Sequence, residues 1–150
     1  MRKKIIFLSV LLSLIISCNQ SKKIEKKYKD EIIKENISNY LKNLMNDPKS
    51  FEFVSMRIKK QIPVKERVKT INEKSLKEVL NLTGKDDRLY KQFETEYNFL
   101  KKIKDSNKIA VFYVDFIARG KNKFNATITN KYSATVLNDK NYTVINLHNK

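Results

Sequence analysis

From Ile109 to Arg119 nearly every residue is apolar. At the strand period of two, Ala110, Phe112, Val114, Phe116 and Ala118 make one wholly apolar face. The other face carries Ile109, Val111, Tyr113 and Ile117 and is interrupted by Asp115. This segment reads as a strand whose even-numbered face belongs to the core, with Phe112 and Phe116 inside it. Gly120 to Asn122 then turns the chain. Phe124, Ala126, Ile128 and Tyr132 alternate with Asn125, Thr127, Thr129 and Lys131, the pattern of a half-exposed strand. Asn138 to Asn141 is a turn-forming cluster, and Tyr142 to Leu147 reads as a last strand. The connections are too short for crossovers, so these three strands should form an antiparallel meander.

Upstream the period lengthens. Ile33, Ile37, Tyr40, Leu41 and Leu44 recur at three-and-four spacing, predicting a helix from Ile24 to about Asn46, stopped by Pro48. Phe51 to Lys59 reads as a strand with Val54, Met56 and Ile58 on one face. Gln61 to Thr70, broken by Pro63, shows no readable period. A short helix is predicted over Glu73 to Leu82. Asn72 is its N-cap, Ile71 and Leu76 are spaced as a hydrophobic staple, and Gly84 is its stop. A longer helix is predicted over Asp86 to Lys104, with Leu89, Phe93, Tyr97, Leu100 and Ile103 as its stripe, and with Leu100 in the core. The order is helix, one strand, middle helices and a three-stranded antiparallel meander. That predicts an α+β fold with the long helix packed on the sheet.

The first residues have a different character. Arg2, Lys3 and Lys4 precede an apolar run from Ile5 to Ile16, which is shorter than the about 20 residues that span a bilayer. This is the secretory pattern. Leu14-Ile15-Ile16-Ser17-Cys18 resembles the lipobox of bacterial lipoproteins. The resemblance implies diacylglycerol transfer to the Cys18 thiol and cleavage after Ser17. Residues 1–17 would then be a signal peptide, 18–23 a lipidated tether and 24–150 one α+β domain. Cys18 is the sole cysteine, so no internal disulfide is available, and lipidation accounts for an odd cysteine in an exported chain.

Charge bears on partners. The chain carries 32 Lys+Arg against 16 Asp+Glu, and its formal charge of +16 becomes +13 once Arg2, Lys3 and Lys4 are removed. Such an excess invites a nucleic-acid reading. The cations are almost all Lys, however, with Arg only at positions 2, 57, 67, 88 and 119, whereas bidentate recognition of phosphates and bases favours Arg. No nucleic-acid partner is expected; weak attraction to anionic lipid headgroups is.

Catalytic constellations are missing from the pattern. The sole histidine is His148, near the end of the sequence. No His/Cys cluster fits a metal, and Gly84 and Gly120 are the only glycines, so no Gly-rich phosphate loop exists. Neither cofactor nor metal is expected. Asp115 is the one carboxylate in a strongly apolar strand. Either it is neutralised by Arg119 or a cross-strand Lys, or it is a polar anchor in a pocket. A recognition spot, if present, falls at the turn from Arg119 to Lys123, with Asp115, Arg119, Lys121 and Asn122 as candidate binding residues. On the competing structural account Arg119 only neutralises Asp115, and Asn122 only supplies a left-handed turn angle.

Asp47-Pro48-Lys49-Ser50-Phe51 and Phe116-Ile117-Ala118-Arg119-Gly120-Lys121-Asn122-Lys123-Phe124 resemble motifs of small uncharacterised lipoproteins from Bacteroidetes-type bacteria. This chain departs from them at Gly120, where Ala is usual, and at Asn125, where Gly is usual. The resemblance implies address and fold but no activity. The expectation is a non-enzymatic binding or envelope-assembly module, exported and held through acylated Cys18 on the periplasmic face of the outer membrane, with an envelope protein as partner. The alternative is a small-ligand carrier or enzyme with an NTF2-like or cystatin-like pocket. Inhibition of a host lysozyme fits poorly, because such a target is itself cationic.

Overall fold

The apolar run at 109–119 becomes the second of four strands, β2 (Ile109–Lys121). The structure, a computed structural model, describes residues 24–150. Cys18 and the expected signal peptide and tether fall in residues 1–23, outside the described residues. The chain divides into two compact units, Met1–Lys34 and Glu35–Lys150. In the first, residues 24–34 are helical, with Lys27 and Glu31 paired at 3.9 Å one turn apart. In the second unit residues 35–42 are helical and are labelled α1.

The remaining strands are β1 (Glu52–Pro63), β3 (Thr127–Leu137) and β4 (Val144–Asn149). They form one four-stranded sheet in the order β1-β2-β3-β4, antiparallel throughout. The predicted meander is thus extended by the upstream strand, and the fold is α+β. β1 reaches four residues beyond its predicted end because Ile62 pairs with Val111 and Pro63 with Ile109. The pairing shifts between Phe53 and Ser55, so Val54 is bulged out and exposed, and Phe53 takes the inward position opposite Ala118. A second shift lies between Ile58 and Lys60. Bulges of this kind blunt an edge strand against further pairing.

The β2–β3 connection also differs from expectation. Gly120 and Lys121 stay in the ladder, opposite Ile128 and Thr127, and the turn lies beyond them. Phe124 and Ala126 therefore sit in the turn, and Asn125 adopts φ 62°. Gly120 answers a close approach, since a Cβ there would collide with the Met45 methyl.

The even face of β2 is the buried one expected, with Phe112, Val114, Phe116 and Ala118 all under 4% exposed. Phe116 stacks between Phe53 and Tyr132 on the neighbouring strands, with ring centroids 5.6 and 5.1 Å apart. Each aromatic pair adds about 0.5–1.5 kcal/mol beyond burial. In α1, Ile37 and Leu41 are buried, and Leu41 shares a depression with Phe51, Ala118 and Tyr132. The Asn36 amide donates to the carbonyls of Asn141 and Tyr142 at 2.6 and 3.2 Å, fastening the helix to the β3–β4 turn. Leu44 lies beyond the last helical residue and is exposed, contrary to its place in the predicted stripe.

Among the described residues of the second unit, helices cover the odd face only at its first half. There Val111 and Leu137 pack with Ile62, Val64, Ile71 and Leu100, flanked by Phe93, Tyr97 and Tyr113. The cover comes from α2 (Val64–Arg67), α3 (Glu73–Thr83) and α4 (Arg88–Leu100). The α3 start is a reciprocal capping box between Asn72 and Ser75, and its end is Gly84 at φ 84°. α4 stops four residues before its predicted end because Lys102 and Ile103 donate three residues back, a tightened last turn. Its buried side chains are Tyr90, Glu96 and Leu100, while Leu89 is exposed.

Glu96 is 2% exposed, and Arg67 from the patternless segment meets it with both Nε and Nη2. Arg67 Nη1 also donates to the Tyr113 hydroxyl at 3.0 Å, so one guanidinium joins α2, α4 and β2. Burial pulls the guanidinium pKa down, but the hydrogen bonds and charge of Glu96 outweigh it and raise the net value. Glu96→Ala should therefore destabilise the domain by about 3–5 kcal/mol, because it strands a buried charge. Arg67→Met combined with Glu96→Leu should recover most of that loss, with both effects read by urea unfolding.

Candidate functional site

Among the described residues of the second unit no helix lies over the odd face of β2 beyond Tyr113, and polar side chains occupy it. Along the strand the row is Asp115, Ile117, Arg119 and Lys121. Arg57 and Ser55 of β1 stand opposite Asp115 and Ile117. On the other side Ser133 and Lys131 of β3 stand opposite the same two residues. Arg57 is 76% exposed at its side chain, whereas Asp115 is 20% exposed. The result is an open depression of about 350 Å³ that also takes in Met56, Tyr132 and Lys150.

Asp115 is the anchor of this surface. It accepts from the Ser133 hydroxyl at 2.8 Å and pairs with Lys150 at 2.6 Å and Arg57 at 3.8 Å. The Lys150 ammonium and then the Ser133 hydroxyl hold its carboxyl below the usual range, with the charge of Lys59 adding to them. Arg119 does not neutralise it: Arg119 reaches Glu52 across the strand pair at 3.5 Å. The cross-strand alternative applies to Asp115, with Lys150 and Arg57 as the cations.

The four nominated residues therefore separate. Asp115, Arg119 and Lys121 share one strand face, while Asn122 braces the turn. The Asn122 side-chain oxygen accepts from the backbone amides of Phe124 and Ala126 at 2.9 and 3.0 Å. The left-handed angle belongs to Asn125 and not to Asn122. Lys121 is fixed through its backbone, whose N–H donates to Ser50 Oγ at 2.8 Å.

Sequence reasoning missed Arg57, Lys131, Ser133 and Lys150 because strand pairing, not spacing along the chain, assembles them. Arg57 carried one available signal, as one of five arginines and set directly between the apolar strand residues Met56 and Ile58. Among the described residues, no group of three or more His, Cys, Asp or Glu could hold a metal ion, and His148 is exposed on β4 opposite Ser133. No helix among the described residues is long and apolar enough to cross a membrane. Comparison with protein-family models, curated proteins and solved structures finds no match to this chain.

A lowered carboxyl pKa contributes stability that is present above the unfolded value, about 3.9, and is lost as pH falls through the folded value. Asp115→Asn should therefore lower the stability at neutral pH, by no more than about 1 kcal/mol given the solvent-screened partners, and the melting temperature with it. The difference from the parent should shrink below about pH 4. Thermal melts between pH 3 and 7 check this.

Proposed function

We propose that this chain is a lipid-anchored protein of the bacterial cell envelope, acylated at Cys18, that works by binding and not by catalysis. Its binding surface is the uncovered half of the sheet, and its partner is an acidic patch on another envelope protein. The observation that carries the reading is the half-covered odd face of β2. One end is closed by helices around Arg67 and Glu96. The other presents Arg57, Arg119, Lys121, Lys131 and Lys150 around Asp115, with Glu52 the other acid among them.

The physical argument is one of rigidity and sign. A ladder-paired sheet holds its side chains at fixed separations, so little ordering entropy is lost when a partner docks. Asp115 holds two of the cations by direct pairing, which spaces them instead of leaving them to repel. Ile117 gives a half-buried apolar centre inside a polar rim, the anatomy of a modest protein interface. The depression is open and its carboxylate is already engaged, which favours a docking face over a reaction cleft. The address rests on the amino-terminal pattern alone: a positive start, a short apolar run and Cys18 after Ser17.

Two measurements test the two halves. Cys18→Ser should abolish incorporation of a lipid precursor and leave an uncleaved or soluble exported form; undiminished labelling would sink the address. Arg57→Glu with Lys131→Glu should leave the melting temperature within a few degrees of the parent and abolish crosslinks to envelope neighbours. Crosslinks that survive both charge reversals would remove this face from consideration.

A further inference from the structure

The tip of the β2–β3 turn is built unlike the rest of the surface. Phe124 is 77% exposed there, held out by a turn that Asn122 braces with two hydrogen bonds. Lys121 and Lys123 precede it in sequence, and the Lys123 ammonium lies 5.1 Å from the Phe124 ring centroid. Two more exposed apolar residues belong to the same end. Leu44, 57% exposed, and Ile128, 40% exposed, line one depression with Lys121 and Asn122. Lys49 stands one residue from Ser50, whose hydroxyl receives the Lys121 amide. The nearby carboxylates are engaged, Asp47 by the Lys49 amide and Glu52 by Arg119. No carboxylate pairs with Lys49, Lys121 or Lys123 among the described residues.

We infer that this end of the domain, with Phe124 at its tip, docks onto the surface of an anionic lipid bilayer. An exposed turn bearing one aromatic ring suits the headgroup level, where aromatic side chains are enriched. The lysines around it match the sign of an anionic leaflet, and each contributes about fivefold in partitioning near such a surface. Leu44 and Ile128 widen the apolar contact behind the ring. The inference uses described residues only and stands whether or not Cys18 carries lipid. Failed labelling at Cys18 would remove the anchoring reading and leave this one untouched.

The chain contains no tryptophan, so Phe124→Trp introduces a single indole into the full chain. Leu82→Trp, at an 84% exposed position on α3, is the control. Each variant is reconstituted into vesicles of phosphatidylglycerol and phosphatidylcholine carrying brominated acyl chains. The Phe124→Trp emission should shift to the blue and be quenched by the brominated lipid in anionic vesicles, while Leu82→Trp stays quenchable by aqueous iodide. Adding Lys121→Glu and Lys123→Glu should weaken docking by about tenfold or more, read by titrating the anionic lipid fraction. The inference is overturned if Phe124→Trp is as open to iodide as Leu82→Trp. Quenching that is equal in pure phosphatidylcholine and indifferent to the lysine reversals also overturns it. So does concentration-dependent shielding of Phe124→Trp in detergent without vesicles, which would assign the tip to contact with a second copy.

Discussion

β2 must be covered on both faces at one end and on only one face at the other, and the rest of the domain answers that demand. Val111 and Phe112 are both buried although they point to opposite sides of the sheet. Burying such side chains is worth about 1.5–3 kcal/mol each, so a sheet with one bare face at this end would forfeit a large share of a marginal total. Helices α2 to α4 sit in the chain between β1 and β2 and supply the second cover. Beyond Tyr113 the odd face turns polar at Asp115, and no helix among the described residues of the second unit lies over it.

Arg67, Glu96 and Tyr113 mark the boundary between the two halves. Removing an ion pair from water is costly, and an apolar replacement of similar volume is often as stable or more so. What the pair adds here is geometry. A two-pronged guanidinium–carboxylate contact admits one relative placement of α2 and α4, and the third bond to Tyr113 sets that placement against the sheet. A greasy contact among the same elements would tolerate sliding.

The charge excess acquires a shape in the same way. On the α3 surface, lysines pair with acids one helical turn away, as Lys77 does with Glu73 and Lys74 with Glu78. Exposed pairs of that kind contribute little and mainly keep the surface soluble. On the open half-sheet and at the β2–β3 tip, cations outnumber acids, and there the net field faces outward. The docking face and the membrane-contacting tip proposed for this chain are adjoining parts of that one cationic region.

The α+β order, the antiparallel meander, the core positions of Phe112, Phe116 and Leu100, and the caps of α3 were all legible in the sequence. Each rests on local rules: a period of two or three and a half, an Asn that can accept from the first helical turn, a Gly free to take positive φ. Of the candidate residues, Asp115 stood out by contrast with its neighbours, and Arg119, Lys121 and Asn122 by their place near a turn. Their partners were not legible. Arg119 reaches Glu52 and Asp115 reaches Lys150, Ser133 and Arg57 because strands far apart in sequence pair in one register. Bulges at Val54 and between Ile58 and Lys60 set that register, and no alternation pattern reveals where a strand will slip by one residue. Arg67 and Glu96, 29 positions apart, read as unremarkable surface charges until packing buries them together. The sequence by itself determined which segments become helices and strands and which faces are apolar, since those depend on neighbours a few residues away. Only the tertiary structure decided which charges meet and which half of the sheet stays open, since those depend on long-range register and on where three helices run out of length.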